Sequence, residues 1–500
     1  MSGPGKPELG VWSKESSLSR KTRLLLLLLT MGAVFIHGYH PWVEDAEIYL
    51  PGVEKLLDPE LFPFGSEFFQ HHASLTLFPN LVAVLVRISH LPLEWVLLLV
   101  HLASIFLLLL ASWELSARCF TDPKARWGGV VLLAALLTLP VAGTALYVMD
   151  QYVNPRNLVP FALIFGINKT LDGKYVQAAA ILGLAATIHP LMSVFALLLC
   201  LVVVSMERLE TGSPALPLLL PFGIAFDVGS PAYHEVALSH TYHYLTKWQW
   251  YEWLGIGGPL VILWWLGRLA RSRQQAKLDI LCRALIPYEL ICAAGALILS
   301  SSARFESLAR IQPLRSLHLL YILLILLGGG TLAEYVLKNH PWRWAVLFVP
   351  VCAGMWIAQR ALFPASTHIE WPGAQPRSPW AQAFVWIRQN TPVNALFALD
   401  PFHMQIAGED ANGFRVIAER SMLADAVKDS GAVTMFPLIA EDWQKQVRAQ
   451  RNWKKFQLSD FHRLRAEFGV NWLVLEQPGV VGTRCPFENQ AVLVCPNPMP

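Results

Sequence analysis

The chain has 500 residues, of which 54% are hydrophobic and 15% are charged. That balance excludes a single soluble globular core and indicates a chain that is mostly embedded in membrane. The formal net charge of +3 says little, so the placement of the basic residues has to carry the topology.

The first element is the apolar run Leu24–Gly38, with Lys14, Arg20, Lys21 and Arg23 before it. Polar residues precede it and no small-residue cleavage site follows, so it reads as a retained signal anchor. A span needs roughly 17–25 mostly apolar residues. Further spans are expected near 93–116, 127–147, 156–168, 175–188, 190–205, 215–229, 253–269, 284–301, 316–337 and 344–364. The stretch 74–89 is also apolar but contains Pro79, Asn80 and Arg87. Counting it as a span would put Arg118, Lys124 and Arg126 outside. Reading it as an amphipathic or re-entrant segment keeps them inside, with Lys169, Lys174, Arg208, Arg268, Arg271, Arg273, Lys277, Lys338 and Arg343.

The expected fold is a polytopic α-helical membrane protein with about 11 transmembrane helices and a small C-terminal extracytoplasmic α/β domain. Residues 1–23 form a cytoplasmic tail. Residues 24–364 form the transmembrane domain, with a first outer loop at 40–92, and residues 365–500 form the outer domain. Segments 148–155, 189–190, 230–252 and 302–315 also face outward. The expected location is the cytoplasmic (inner) membrane of a cell envelope, with a periplasmic C-terminal domain. The 19 tryptophans suit the headgroup layer of such a membrane.

After about residue 365 charges become frequent and apolar runs shorten. Trp380–Gln389 and Ser459–Phe468 read as helices. Ala395–Leu399, Arg415–Glu419, Trp472–Glu476 and Gln490–Val494 read as strands. Cys485 and Cys495 could close a small loop in an oxidising compartment, or remain two thiols.

Chemistry is expected first at Val43-Glu44-Asp45-Ala46-Glu47-Ile48-Tyr49, just past the first span. A solvated loop would account for three acids, as would catalysis on a membrane-bound substrate. The following amphipathic stretches Ile48–Leu57 and Leu61–Phe69 suit an interface. If 44–47 is helical, Glu44 and Glu47 share a face and Asp45 points elsewhere. No Walker loop, dinucleotide fingerprint, HExxH or CxxC pair is present.

The order of first span, acidic outer loop near a Tyr, interfacial helices, polytopic bundle and outer α/β domain resembles the GT-C superfamily of membrane glycosyltransferases. Its members include protein O-mannosyltransferases, lipid A aminoarabinose transferases and oligosaccharyltransferases. In residues the resemblance rests on Glu44-Asp45-Ala46-Glu47-Ile48-Tyr49. The WWD-type signature of oligosaccharyltransferases is lacking. The resemblance implies sugar transfer from a polyprenyl-phosphate-linked donor to an acceptor glycan, lipid or protein. It makes Asp45 the general base, with Glu44 and Glu47 as alternates and Asp150 as a second acid.

A leaving lipid phosphate needs cations, and guanidinium suits it. Arg304, Arg310 and Arg315 are the candidates, with anionic lipid headgroups as their alternative ligand. Arg156 could face the cavity, and His189 could touch phosphate or cap a Pro-bent helix pair. The aromatics of 234–253 could stack on sugars or form an interfacial belt. His240 and His243 could contribute to a metal site with a carboxylate. A divalent cation such as Mg or Mn could bridge carboxylates and phosphate. Glu94, Glu289 and Glu334 lie near or within spans and should face protein or water. Membrane lipid is an expected partner and nucleic acid is not. The rival readings are a transporter or flippase for an amphiphilic solute, most sensitive at Glu289, and a non-catalytic membrane assembly protein.

Overall fold

The computed structural model describes residues 19–213, 230–301, 305, 308 and 310–497. The expected span at 215–229, Arg304 and most of the N-terminal tail lie outside them. Among the described residues six helices are long and apolar enough to cross a membrane. They are Leu93–Cys119, Pro190–Glu210, Trp250–Ser272, Ala276–Ser300, Pro313–Leu337 and Pro341–Leu362. The helices Arg20–His37, Pro123–Ala135, Pro160–Leu171 and Tyr175–Ile188 pack among them. Leu24, Leu28, Phe35, Val346 and Ile357 point outward, as side chains facing lipid do. This is a helical, multi-pass membrane protein.

Backbone contact is closest between Pro123–Ala135 and Ser316–Leu332, where Gly128 and Gly129 face Gly329. A Cβ on Gly329 would lie 3.0 Å from the Gly128 carbonyl oxygen and from the Gly129 Cα. Helices in lipid gain little from burying apolar surface against each other, so close backbone packing at small residues replaces it.

The basic loops gather at one end of the bundle. Arg118 pairs with Asp172 at 2.8 Å, the Lys277 Nζ donates to the Leu171 carbonyl, and the Gln275 amide donates to Glu334. At the other end, segment 40–92 and the C-terminal domain share one core. Val43, Ala46, Leu50 and Val53 pack with Phe384, Phe397 and Phe414. Isolated backbone bridges join Tyr39 to Ile369 and Val43 to Asn412.

The C-terminal domain holds a five-stranded mixed sheet. Its spatial order is Ser421–Met422, Leu396–Ala398, Trp472–Glu476, Val492–Pro496 and Phe487–Glu488. The first three strands run parallel and the last two pairings are antiparallel. Helix Pro379–Asn390 covers one face, and Leu458–Phe468 packs on the other through Phe461 and Leu464. Cys485 and Cys495 form a disulfide.

Several expected elements differ. Stretch 74–89 is part of two helices, Glu67–Ser74 and Phe78–Ser89, bent by 87° at the break before Pro79. The apolar run 127–147 is helical only to Ala135. It then forms a hairpin of Pro140–Val141 with Leu146–Tyr147, turned at Gly143 with φ +62°. Leu61–Phe69 becomes helical only at Glu67, because Pro63 and Gly65 interrupt it. Arg415–Glu419, expected as a strand, belongs to the short helix Phe414–Ala418, whose first N–H groups are capped from another segment.

Candidate active site

A cavity of about 910 Å³ opens between the non-basic end of the bundle and the C-terminal domain. That size lies within the usual range for small-molecule sites. Besides His72, His189, His240, Tyr242 and Glu252, four segments supply charged or tyrosine groups to its wall. They are segment 40–92 (Glu44, Asp45, Tyr49), the 148–157 loop (Asp150, Arg156), the head of the Pro313–Leu337 helix (Arg315), and Ala426–Met435 of the C-terminal domain.

Asp45 precedes the helix Ala46–Leu57, while Glu44 adopts a left-handed backbone with φ 56°. A non-glycine residue in that region is uncommon and turns the chain sharply. The turn aims both carboxylates at one ammonium group. Lys428 Nζ donates to Asp45 Oδ1 at 2.8 Å and to Glu44 Oε2. On its other side Asp45 Oδ2 lies 3.7 Å from Arg156 Nη2. Burial alone would raise the Asp45 carboxyl, but the Lys428 and Arg156 charges outweigh it and hold it well below the usual carboxylate range. Burial would lower Lys428, but Asp45 and Glu44 raise it above the usual lysine range.

Asp150 is the second acid, and its Oδ2 is engaged. Arg156 Nη2 and Asn154 Nδ2, at 2.7 Å, both donate to its Oδ2, and Asn157 Nδ2 donates to its carbonyl oxygen. Asp150 therefore positions Arg156, which in turn faces Asp45.

Arg315 differs from the other cavity cations. Among the described residues its guanidinium has no carboxylate partner, whereas Arg156 and Lys428 each have two; like that of Arg156, its buried Nε makes no hydrogen bond. The neighbouring Gln312 has a left-handed backbone with φ 47°, and its buried Oε1 is also without a partner. Such backbone outliers cluster at sites that hold ligands. His189 lines the same cavity and caps the Pro190–Glu210 helix, with its Nδ1 accepting the Met192 N–H at 3.4 Å.

Three expected site residues are placed elsewhere. Glu47 is fully buried and points away from the cavity, so it does not share a face with Glu44. It accepts the backbone N–H of Arg415 at 3.0 Å and of Val416 at 3.2 Å, and Arg415 Nη1 at 3.3 Å. Gly413 makes room, since a Cβ there would lie 2.5 Å from Glu47 Oε2. Arg310 does not line the cavity. His243 lines a small adjoining pocket with Tyr242 and Arg315, while His240 reaches the main cavity and contacts Ser430 Oγ at 3.5 Å. Arg304 is outside the described residues.

No group of three or more His, Cys, Asp or Glu residues is arranged to hold a metal among the described residues. The two first-loop carboxylates that would be its natural ligands instead share the Lys428 ammonium.

Lys428 and His72 were not expected at the site. Lys428 lies in Asp425-Ala426-Val427-Lys428-Asp429, which reads as an ordinary polar turn of the C-terminal domain. The Asp425 Oδ1 accepts the Val427 and Lys428 N–H groups, and Asp429 holds Arg415 by two bonds at 2.9 and 2.8 Å. One network thus runs from Glu47 through Arg415 and Asp429 to the turn carrying Lys428.

The assembled wall can hold an anion at Arg315, keep Asp45 ionised, and present Tyr49, Tyr152 and Tyr242 to a ligand. No family model matches the chain, and no curated protein matches it significantly.

Proposed function

We propose that this protein is an integral-membrane glycosyltransferase of GT-C type, acting at the outer face of a cytoplasmic membrane. The observation that carries the reading is the presence, in one cavity, of the ionised Asp45 and of the Arg315 guanidinium, which has no carboxylate partner among the described residues. The donor is a sugar linked to a polyprenyl phosphate. Its phosphate binds Arg315, assisted by Arg156, and the acceptor hydroxyl approaches Asp45.

The hydroxyl oxygen forms a bond to the anomeric carbon. The bond from that carbon to the phosphate oxygen breaks, and its electron pair leaves with polyprenyl phosphate. Asp45 takes the hydroxyl proton. With Lys428 attached, Asp45 is a weak base, so the acceptor hydroxyl replaces Lys428 as its hydrogen-bond donor before transfer. Arg315 neutralises the charge that grows on the leaving phosphate.

The topology belongs to the same proposal. About eleven crossings put the basic loops inside and the cavity with the C-terminal domain outside. It is supported by the gathering of Arg118, Lys277 and the Glu334 loop at the end away from the cavity.

The test uses the full chain in proteoliposomes with polyprenyl-phosphate hexoses, reading released polyprenyl phosphate. Asp45→Asn should lower turnover by about a hundredfold or more at unchanged abundance. Equal turnover in wild type and Asp45→Asn at equal abundance refutes the assignment.

A further inference from the structure

A second recess of about 140 Å³ lies at the membrane boundary, between the start of the Leu93–Cys119 helix, the chain leaving the first helix and the Thr367–Arg377 segment. Tyr39, Trp42, Glu94, Glu370 and Trp371 line it, with Arg377 at its edge. Glu370 Oε1 pairs with His40 Nδ1 at 2.7 Å, and Glu94 Oε2 accepts the Gly373 N–H at 2.8 Å. Each carboxylate keeps its second oxygen free of a protein partner among the described residues. Tyr39 is fully buried and its hydroxyl makes no hydrogen bond. Burial and the nearby Glu370 and Glu94 carboxylates raise its pKa, so the hydroxyl keeps its proton.

We infer that this recess is a saccharide subsite, separate from the Asp45 cavity, that holds one uncharged sugar ring of an acceptor glycan. Room for about four or five waters matches one pyranose ring. Free carboxylate oxygens accept sugar hydroxyls. Trp42 and Trp371 supply apolar ring faces. A phospholipid headgroup fits less well. Its phosphate would sit beside two acids, and Arg388, the other cation there, is already paired with Glu419 at 3.3 Å. A thin wall divides the recess from the Asp45 cavity. Phe363 of that cavity stacks on His40 at 3.9 Å, and His40 holds Glu370 of the recess. A glycan with one ring here could extend past this wall toward Asp45, which rests on the proposed function, whereas binding in the recess does not.

The test is saturation-transfer NMR on the full chain in a detergent without sugar groups. The probes are methyl α-mannopyranoside, methyl α-glucopyranoside and N-acetylglucosamine, with phosphoethanolamine as the comparison. At least one sugar should receive transfer from wild type and equally from Asp45→Asn. The signal should fall at least fivefold in Trp371→Ala and in Glu94→Gln, both at partly exposed positions and both checked for unchanged melting. No transfer to any sugar, transfer undiminished in both variants, or transfer to phosphoethanolamine alone overturns the inference. Loss of turnover in Asp45→Asn with sugar binding intact separates this site from the catalytic reading.

Discussion

Lys428 Nζ donates to Asp45 Oδ1 at 2.8 Å across 383 positions of sequence, so the C-terminal domain supplies the charge that sets the state of the first-loop acid. The direction of both shifts fixes a pH prediction. Asp45 folds with a pKa below its free value of about 3.9, so its contribution is present above that pH and lost as pH falls through the folded value. Lys428 folds with a pKa above its free value of about 10.4, so its contribution is present below that and lost as pH rises through the folded value. The stability gap between wild type and Lys428→Met should therefore be flat from about pH 5 to pH 9 in thermal melts. Removing the ammonium also raises Asp45, so Lys428→Met should gain an acid limb in its turnover profile that wild type lacks. A gap that changes steeply near neutrality, or identical profiles, would contradict this pairing.

Glu47 and Arg415 are a separate case, because their interaction is wholly buried and joins the first loop to the C-terminal domain. Arg415→Leu strands Glu47 and Asp429 as buried acids without their counter-charge. The expected cost is about 3–5 kcal/mol, read as a lowered melting temperature and earlier proteolysis of the C-terminal domain. Neither Glu47 nor Arg415 lines the cavity, so any change in turnover per folded molecule should come through the Asp429 turn that carries Lys428. Full stability with lost turnover would instead return Glu47 to the catalytic list.

Arg315 is expected to act on the donor. Arg315→Gln removes a charged hydrogen bond of roughly 1.5–3 kcal/mol, which is about a tenfold to hundredfold rise in KM for the polyprenyl-phosphate donor. Arg315→Lys keeps the charge but not the fork and should recover only part of the loss. The KM for the acceptor should stay unchanged in both. A change confined to the acceptor would place the phosphate elsewhere in the cavity.

Gly129 tests how the bundle is held. A side chain there collides with the Leu326 carbonyl and forces apart the helices Pro123–Ala135 and Ser316–Leu332. Gly129→Leu should cost at least about 1–3 kcal/mol, seen as reduced yield and earlier melting in detergent. Gly295→Leu is the control, because a Cβ at Gly295 meets nothing within 4 Å. Equal behaviour of the two variants would show that close backbone packing is not what joins this pair.

The helical runs were legible because long apolar stretches have few other solutions, and Leu93–Cys119 and Pro341–Leu362 begin and end near their expected limits. The run 127–147 misled because apolar content continues through Pro140 and Gly143, where the backbone turns into a hairpin. Arg415–Glu419 misled for a different reason. Its short apolar run with the β-branched Val416 and Ile417 suits a strand, but Glu47 caps it as a helix from 368 positions away. The acids at 44 and 45, Asp150, Arg156 and Arg315 could be singled out, because charge next to apolar spans is conspicuous. Lys428 could not, because an ordinary lysine in a polar turn gains its meaning only from the tertiary contact. The separation of Glu47 from its neighbours was equally hidden, since it depends on the left-handed backbone at Glu44.

Sidedness decides which donor is available, and two exposed positions test it. Leu438 in the C-terminal domain is 96% exposed, and Lys174 is exposed in the turn between Pro160–Leu171 and Tyr175–Ile188, at the basic end. Cys119, Cys200, Cys282 and Cys292 are buried and Cys485 is bridged to Cys495, so Cys352 is the main native background among the described residues. On intact cells a membrane-impermeant maleimide should label Leu438→Cys, and it should reach Lys174→Cys only after permeabilisation. The arrangement follows from the gathering of basic loops away from the cavity, which the positive-inside rule assigns to the cytoplasm. The opposite labelling would put Asp45 and Arg315 on the cytoplasmic side. A soluble activated sugar would then be as accessible to the cavity as a lipid-linked one, and the polyprenyl-phosphate donor would lose its topological reason.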